Sequence, residues 1–273
     1  MKTTTLSQKK GTTMYIDINT SVGHWPFEQV RFNTCEKLLQ RMNEFGVQQS
    51  VVGSLNGIFY KNTQTANEEL IEEINSNKKF SSRFIPFAVL NPVYANWQAD
   101  LKTCVKMGMK GIRLYPQYHD YDITEPPVLD LVKMARDNGL IIALTIKMVD
   151  SRQRSWMDIP EEWPLKRFLP LIRAVPDAKY LLLNISTGFT VDQADISVLK
   201  QKNILIDTSG RNLVKMKPLI DTYGPDHFAF GTHSPIFDYL TSMLRIETLR
   251  DNEVGANEKE LLRSGNAKKF LNL

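Results

Sequence analysis

The sequence predicts an α/β chain folded as a single (β/α)8 TIM barrel, and three observations carry that expectation. Eight short apolar runs follow one another along the chain. Amphipathic stretches with helical spacing separate them. No glycine-rich G-x-G-x-x-G turn follows the first run, which sets aside the doubly wound open sheet. A length of 273 residues, 42% of them hydrophobic, is enough for one such domain with a full core. Residues 14–273 are read as that domain. The polar start "MKTTTLSQKKGTT", residues 1–13, is read as a flexible tail lacking the apolar segment of a signal peptide.

The predicted strands are MYIDIN (14–19), QSVVGSL (49–55), RFIPFAVL (83–90), KGIRLY (110–115), LIIALTI (140–146), YLLLNI (180–185), NILIDT (203–208) and HFAFGT (227–232). Most lack polar alternation, as expected of parallel strands buried on both faces. The intervening helices carry their own punctuation. TCEKLLQRMNEFG opens on a Thr cap and stops at Gly46; PVLDLVKMARDNG opens on Pro127 and ends at Asn138-Gly139. TANEELIEEINSN, PIFDYLTSMLRIETLR and NEKELLRSGNAKKFL continue the alternation, and WPLKRFLPLIRAVPD contains Pro170, which is expected to kink or split it.

Charge and cysteine content exclude several classes of function. Lys and Arg total 34 against 30 Asp and Glu, a formal net charge of +4 without a basic stripe, so no nucleic-acid partner is expected. No apolar run approaches the roughly 18 residues that span a bilayer, so no membrane partner is expected. Cys35 and Cys104 lack a C-x-x-C spacing and are read as reduced, buried residues, which suits a cytoplasmic protein.

In a barrel of this kind chemistry sits at the C-terminal strand ends. Strand parity says which side chains look inward. In LIIALTIK the bulky Leu140, Ile142, Leu144 and Ile146 suit the helix-facing side, leaving Ala143, Thr145 and Lys147 toward the axis. The same reasoning turns Gly111, Arg113 and Tyr115 inward on the fourth strand, and Ala229, Gly231 and His233 on the eighth. Arg113, Lys147, Arg152 and Arg211 could meet at one mouth, where planar guanidinium groups suit a carboxylate or phosphate. A small anionic substrate is therefore expected.

The strand ends also resemble a known family. YIDINTSVGHWPF, GMKGIRLYPQYHDYDI, IDTSG, FAFGTHSP and SGNAKKFLNL, in that order from about Tyr15 to the C-terminus, are similar to the strand-end motifs of amidohydrolase-related proteins, the metal-dependent TIM-barrel hydrolases. The resemblance implies an amidohydrolase-like barrel, a hydrolase, and possible homodimers. It also implies a metal site that this chain departs from. The two first-strand histidines fall on Asn19 and Ser21, the fifth-strand histidine at Lys147, the sixth-strand histidine on Asn184, and the eighth-strand aspartate on His233. Two amides, a hydroxyl, an ammonium and one imidazole are a poor set for zinc. No cofactor is expected at the usual positions. The alternative is a displaced Zn2+ or similar ion held by His24, His119 and His233.

The expected activity is lactonase- or amidase-type hydrolysis of a small carboxylated substrate without a metal. His233 would be the base, Lys147 the fixed charge beside a developing oxyanion, and Asn19 a further catalytic residue. Ser21, Arg113, Tyr115, His119, Asp150, Arg152, Asn184 and Arg211 are the expected substrate-binding set. A lyase or isomerase on the same barrel and an inactive small-molecule-binding barrel are the competing readings.

Overall fold

In the computed structural model the described residues are 13–150, 155–159, 163–185, 191–209 and 216–273. Eight parallel strands form one sheet in sequential order: β1 (Tyr15–Val22), β2 (Val47–Ser54), β3 (Phe84–Val89), β4 (Gly111–Leu114), β5 (Ile141–Thr145), β6 (Tyr180–Leu183), β7 (Ile204–Asp207) and β8 (Phe228–Ala229). Each predicted run contributes one strand. The sheet closes on itself through backbone bonds from Ile18 N to Phe230 O at 3.0 Å, Ser21 N to Ser234 O at 2.8 Å and His233 N to Asn19 O at 2.7 Å.

Two apolar layers separate as the parity reading requires. Ile142, Leu144 and Ile146 pack against the helices in the outer core. Ile18, Phe87, Ala143, Leu183 and Ala229 fill the barrel interior, and Phe270 of the last helix closes it from below. Gly111 is demanded by this packing, since a Cβ there would stand 2.6 Å from the Ile141 carbonyl oxygen and against the Phe87 ring.

Helix Cys35–Glu44 starts at Thr34, whose hydroxyl accepts from Lys37 N, as the sequence pattern indicates. Pro170 splits its segment: a 3-10 turn over Leu165–Arg167 gives way to helix Leu169–Ala174, in which the proline occupies the first turn. The final segment is helical from Ala256 to Leu271 but widens to a π-turn over Leu261–Gly265. There the Leu262 carbonyl accepts from Phe230 N, tying the wide turn to the end of β8. Two short helices at the barrel mouth, Asn56–Phe59 and Pro116–His119, are absent from the sequence reading. Among the described residues no helix is long and apolar enough to cross a membrane.

Candidate active site at the barrel mouth

Arg113 rises from β4 into the mouth and is buried there. Its Nε donates to Thr145 Oγ1 at 2.9 Å, Nη1 to Ser21 Oγ at 3.1 Å and Thr20 O at 3.2 Å, and Nη2 to Asn19 Oδ1 at 2.7 Å. One guanidinium thus ties β4 to β1 and β5. Asn19 passes the connection on, because its Nδ2 donates to Asp207 Oδ2 at 2.6 Å. Asp207 also accepts from Ser209 Oγ at 2.5 Å and from the backbone of Asn184 at 2.8 Å. An amide therefore stands between a buried cation and a buried anion, satisfying both. Burial pushes the Asp207 carboxyl up to about 6, against the opposing effect of the donors from Ser209, Asn19 and Asn184.

This geometry changes the role expected of Arg113. Four of its N–H bonds go to the barrel itself, so it acts as the internal strut of the mouth and not as an open fork for a ligand. Ser21 is likewise committed, as an acceptor from Arg113.

Asn184 and His233 stand at the ends of β6 and β8 in the left-handed backbone region, with φ of 58° and 61°. Both reach back to the chain leaving β5. Asn184 Nδ2 donates to the Lys147 carbonyl at 2.5 Å, and His233 Nε2 lies 2.7 Å from the Met148 carbonyl. A carbonyl only accepts, so His233 carries its hydrogen on Nε2 and keeps the Nδ1 lone pair, which lies 3.4 Å from Asn19 Oδ1. Burial, then the Arg113 charge, hold its pKa down to about 3 despite the Met148 carbonyl. His233 is 2% exposed and neutral at neutral pH. Lys147, whose carbonyl Asn184 holds, is 5% exposed at the same rim, and Asp150, three residues on, is partly buried.

The remaining expected residues are dispersed. Tyr115 is buried beside Arg113, whose guanidinium carbon lies 5.4 Å from its ring centre. His119 packs between Tyr115 and Tyr121, with ring centroids 6.2 and 6.3 Å away, and burial holds it down to about 4. His24 is exposed on the loop after β1. Arg152 and Arg211 lie outside the described residues. Among the described residues no group of three or more His, Cys, Asp or Glu side chains is placed to hold a metal ion. The alternative in which His24, His119 and His233 converge is thereby corrected: one is exposed, one is packed in the loop after β4 and one is locked in the β8 corner. The usual positions do not fit a divalent ion either. The Asn19 oxygen that a metal would need already accepts from a guanidinium.

Sequence reasoning missed several members of the mouth. Thr145 was placed inward by parity but given no role, and Ser209 repeats the inward period two residues past Asp207. Asp17 accepts from Thr232 Oγ1 at 2.6 Å and from the backbone of Asn19 and Thr232, stapling β1 to β8, and burial pushes it up to about 7. Over the rim, Trp25 of the loop after β1, Phe59 of helix Asn56–Phe59 and Tyr118 of helix Pro116–His119 meet edge to face, with centroids 5.2 to 5.9 Å apart. Trp156, in the segment after β5, is 89% exposed.

No protein-family model matches the chain, and no curated protein does. Solved structures do. 2,6-Dihydroxybenzoate decarboxylase from Rhizobium is 13% identical with a TM-score of 0.70, covering 95% of this chain and 98% of its own. A probable 2-pyrone-4,6-dicarboxylic acid hydrolase from Acinetobacter baumannii with citric acid bound is 12% identical with a TM-score of 0.66, covering 95% and 99%. Amidohydrolase 2 from Bifidobacterium longum subsp. infantis is 17% identical with a TM-score of 0.64, covering 96% and 99%. What this chain shares with them end to end is the fold: it is an amidohydrolase-like TIM barrel.

Proposed function

We propose that the protein is an enzyme that binds a small carboxylated substrate at the barrel mouth and hydrolyses a C–O or C–N bond in it without a divalent ion. The observation that carries this reading is the presentation of Lys147, two residues past β5, where Asn184 holds its carbonyl and His233 holds the next one, that of Met148. Two likenesses in fold support the substrate class: the names of the Rhizobium and Acinetobacter proteins specify a dihydroxybenzoate and a pyrone dicarboxylate.

In this reading water adds to the substrate carbonyl, its proton passes to His233 Nδ1, and Lys147 stabilises the oxyanion. Collapse breaks the C–O or C–N bond, and His233 returns the proton to the leaving atom. Asn19 keeps Arg113 and Asp207 paired, so the neighbouring charges stay fixed during the reaction. A bound carboxylate offsets the Arg113 charge beside His233 and raises its basicity from the low value of the free site.

Decarboxylation is the second reading, favoured by one observation: a histidine held near 3 is a weak base, and loss of CO2 needs no activated water. Incubation of metal-stripped protein with carboxylated lactones and hydroxybenzoates in 18O-water separates the two. Label in the product carboxylate supports hydrolysis, release of CO2 supports decarboxylation, and turnover of neither under any condition overturns the enzyme reading.

A further inference from the structure

A cleft of about 550 Å³ opens in the floor of the barrel, at the end opposite the mouth. It is bounded by the N-terminal ends of β3, β4 and β5, the end of helix Thr63–Asn75 and residues 271–273. Ile74, Phe84, Ile85 and Ile141 supply an apolar wall, each 3–7% exposed, and Ile71 and Met107 stand partly buried beside them. Both apolar layers of the fold reach this wall, Ile74 and Phe84 from the outer core and Ile85 and Ile141 from the interior. Gly108 and Gly139 also line the cleft, and a Cβ at either would meet nothing within 4 Å, so the space beside the strand ends is open.

The charged side chains of the lining are two lysines, Lys110 and Lys179. Lys110 directly precedes β4 and Lys179 directly precedes β6, so they flank β5. The Lys110 carbonyl accepts from Ile141 N at 3.2 Å and the Lys179 carbonyl from Ile142 N at 2.8 Å. Two strand spacings of about 4.8 Å put these backbones about 10 Å apart, which lets both ammoniums reach one small anion over the start of β5. Lys110 is exposed, and Lys179 Nζ donates to the Phe270 carbonyl at 3.1 Å; neither has a carboxylate partner among the described residues. Asp137 and Asp177, which precede β5 and β6, are engaged by Arg136 instead. The cleft therefore joins an apolar wall to an uncompensated positive rim.

We propose that this floor cleft is a second binding site, for an anionic amphiphile: a medium-chain carboxylate whose head meets Lys110 and Lys179 and whose chain lies along Ile71, Ile74 and Met107. The wall offers no hydrogen-bonding side chain, so the part of a ligand that covers it must be apolar. The volume is that of an ordinary small-ligand site. Residues 1–13 suit the cleft poorly, because they carry Lys2, Lys9 and Lys10 and only Met1 and Leu6 as bulky apolar side chains.

Isothermal titration of the whole protein with octanoate, decanoate and dodecanoate, below their micelle-forming concentrations, tests it. Affinity rises at least about fourfold at each step, since one fully buried methylene contributes about that factor and the cleft is open on one side. Dodecyltrimethylammonium, the same chain with a cationic head, binds at least about 10-fold more weakly than dodecanoate. Lys110→Glu, at an exposed position, weakens dodecanoate at least about 10-fold with Tm unchanged, and Lys147→Met at the mouth leaves its affinity as in the wild type. Absence of binding, equal affinities for the three acids, equal binding of the cationic amphiphile, or full dodecanoate affinity in Lys110→Glu overturns the site. A loss confined to Lys147→Met also overturns it, because the acid is then held at the mouth, and leaves the carboxylate reading there standing.

Discussion

His233 places its Nε2 2.7 Å from the Met148 carbonyl, and that contact decides which ring nitrogen is available for chemistry. Together with the Asn184 bond to the Lys147 carbonyl it fixes the chain leaving β5 from the ends of β6 and β8. A left-handed backbone at both residues aims the side chains there, a conformation that few residues other than glycine, asparagine, aspartate and histidine take up readily.

The first prediction concerns the charge on this histidine. An NMR titration of the ligand-free protein finds His233 neutral from pH 8 down to pH 4, consistent with a pKa held near 3 by burial and Arg113. A transition near 6.5 would show a solvated imidazole and contradict the clamp.

Asn19 is predicted to matter more for stability than a buried amide in an apolar setting, because it pairs two charges. Asn19→Ala leaves Arg113 Nη2 and Asp207 Oδ2 each short of a partner, costing about 3 kcal/mol and lowering Tm on the order of 10 °C. Asn19→Asp sets a carboxylate against Asp207, so its loss is larger at pH 8 than at pH 5. Equal urea midpoints for wild type and Asn19→Ala would rule out the bridge.

Stability against pH should show a compensation that one substitution uncovers. Asp17 and Asp207 have folded pKa values raised to about 7 and about 6. Their contribution is present below pH 4 and is lost as pH rises through those values. His119 and His233 are depressed to about 4 and about 3, so theirs is present above 6.5 and lost as pH falls. The four contributions oppose one another between pH 4 and 7 and flatten the wild-type curve. Asp17→Asn removes one downward contribution, so the variant gains on wild type as pH rises, by on the order of 4 kcal/mol across the range. Urea unfolding at pH 4.5 and 7.5 measures this, and a constant difference between the two proteins contradicts it.

Glycines at the two ends of the inner layer should rank clearly. A Cβ at Gly111 meets the Ile141 backbone at 2.6 Å, which cannot swing away. At Gly231 it meets the Asp207 side chain, with Cβ at 2.7 Å. Gly111→Ala is expected to cost about 3 kcal/mol and Gly231→Ala less, with the second also disturbing the Asn19 contact. Calorimetric Tm values in the reverse order would count against the packing described for the interior.

The strands and their inward faces were readable because parallel strands buried on both sides are continuous apolar runs with a strict period of two. Thr145 and Lys147 follow from Ala143 by that period alone. The web was not readable, because a period says that Arg113 points inward but not that Asn19, Ser21, Thr20 and Thr145 absorb its donors. That depends on distances between strands far apart in sequence. The three-histidine metal alternative failed for a related reason: sharing a barrel end does not bring loop residues to one point.

In the proposed reading the mouth recognises a carboxylate through Lys147 without a divalent ion. Titration of chelator-treated wild-type and Lys147→Met proteins with 2-pyrone-5-carboxylate tests it most directly. The account predicts saturable 1:1 binding by wild-type protein, unaffected by added Zn2+ or Mn2+ and weakened at least 10-fold in the variant. Binding that appears only when a divalent ion is restored, or that survives unchanged in Lys147→Met, would contradict it.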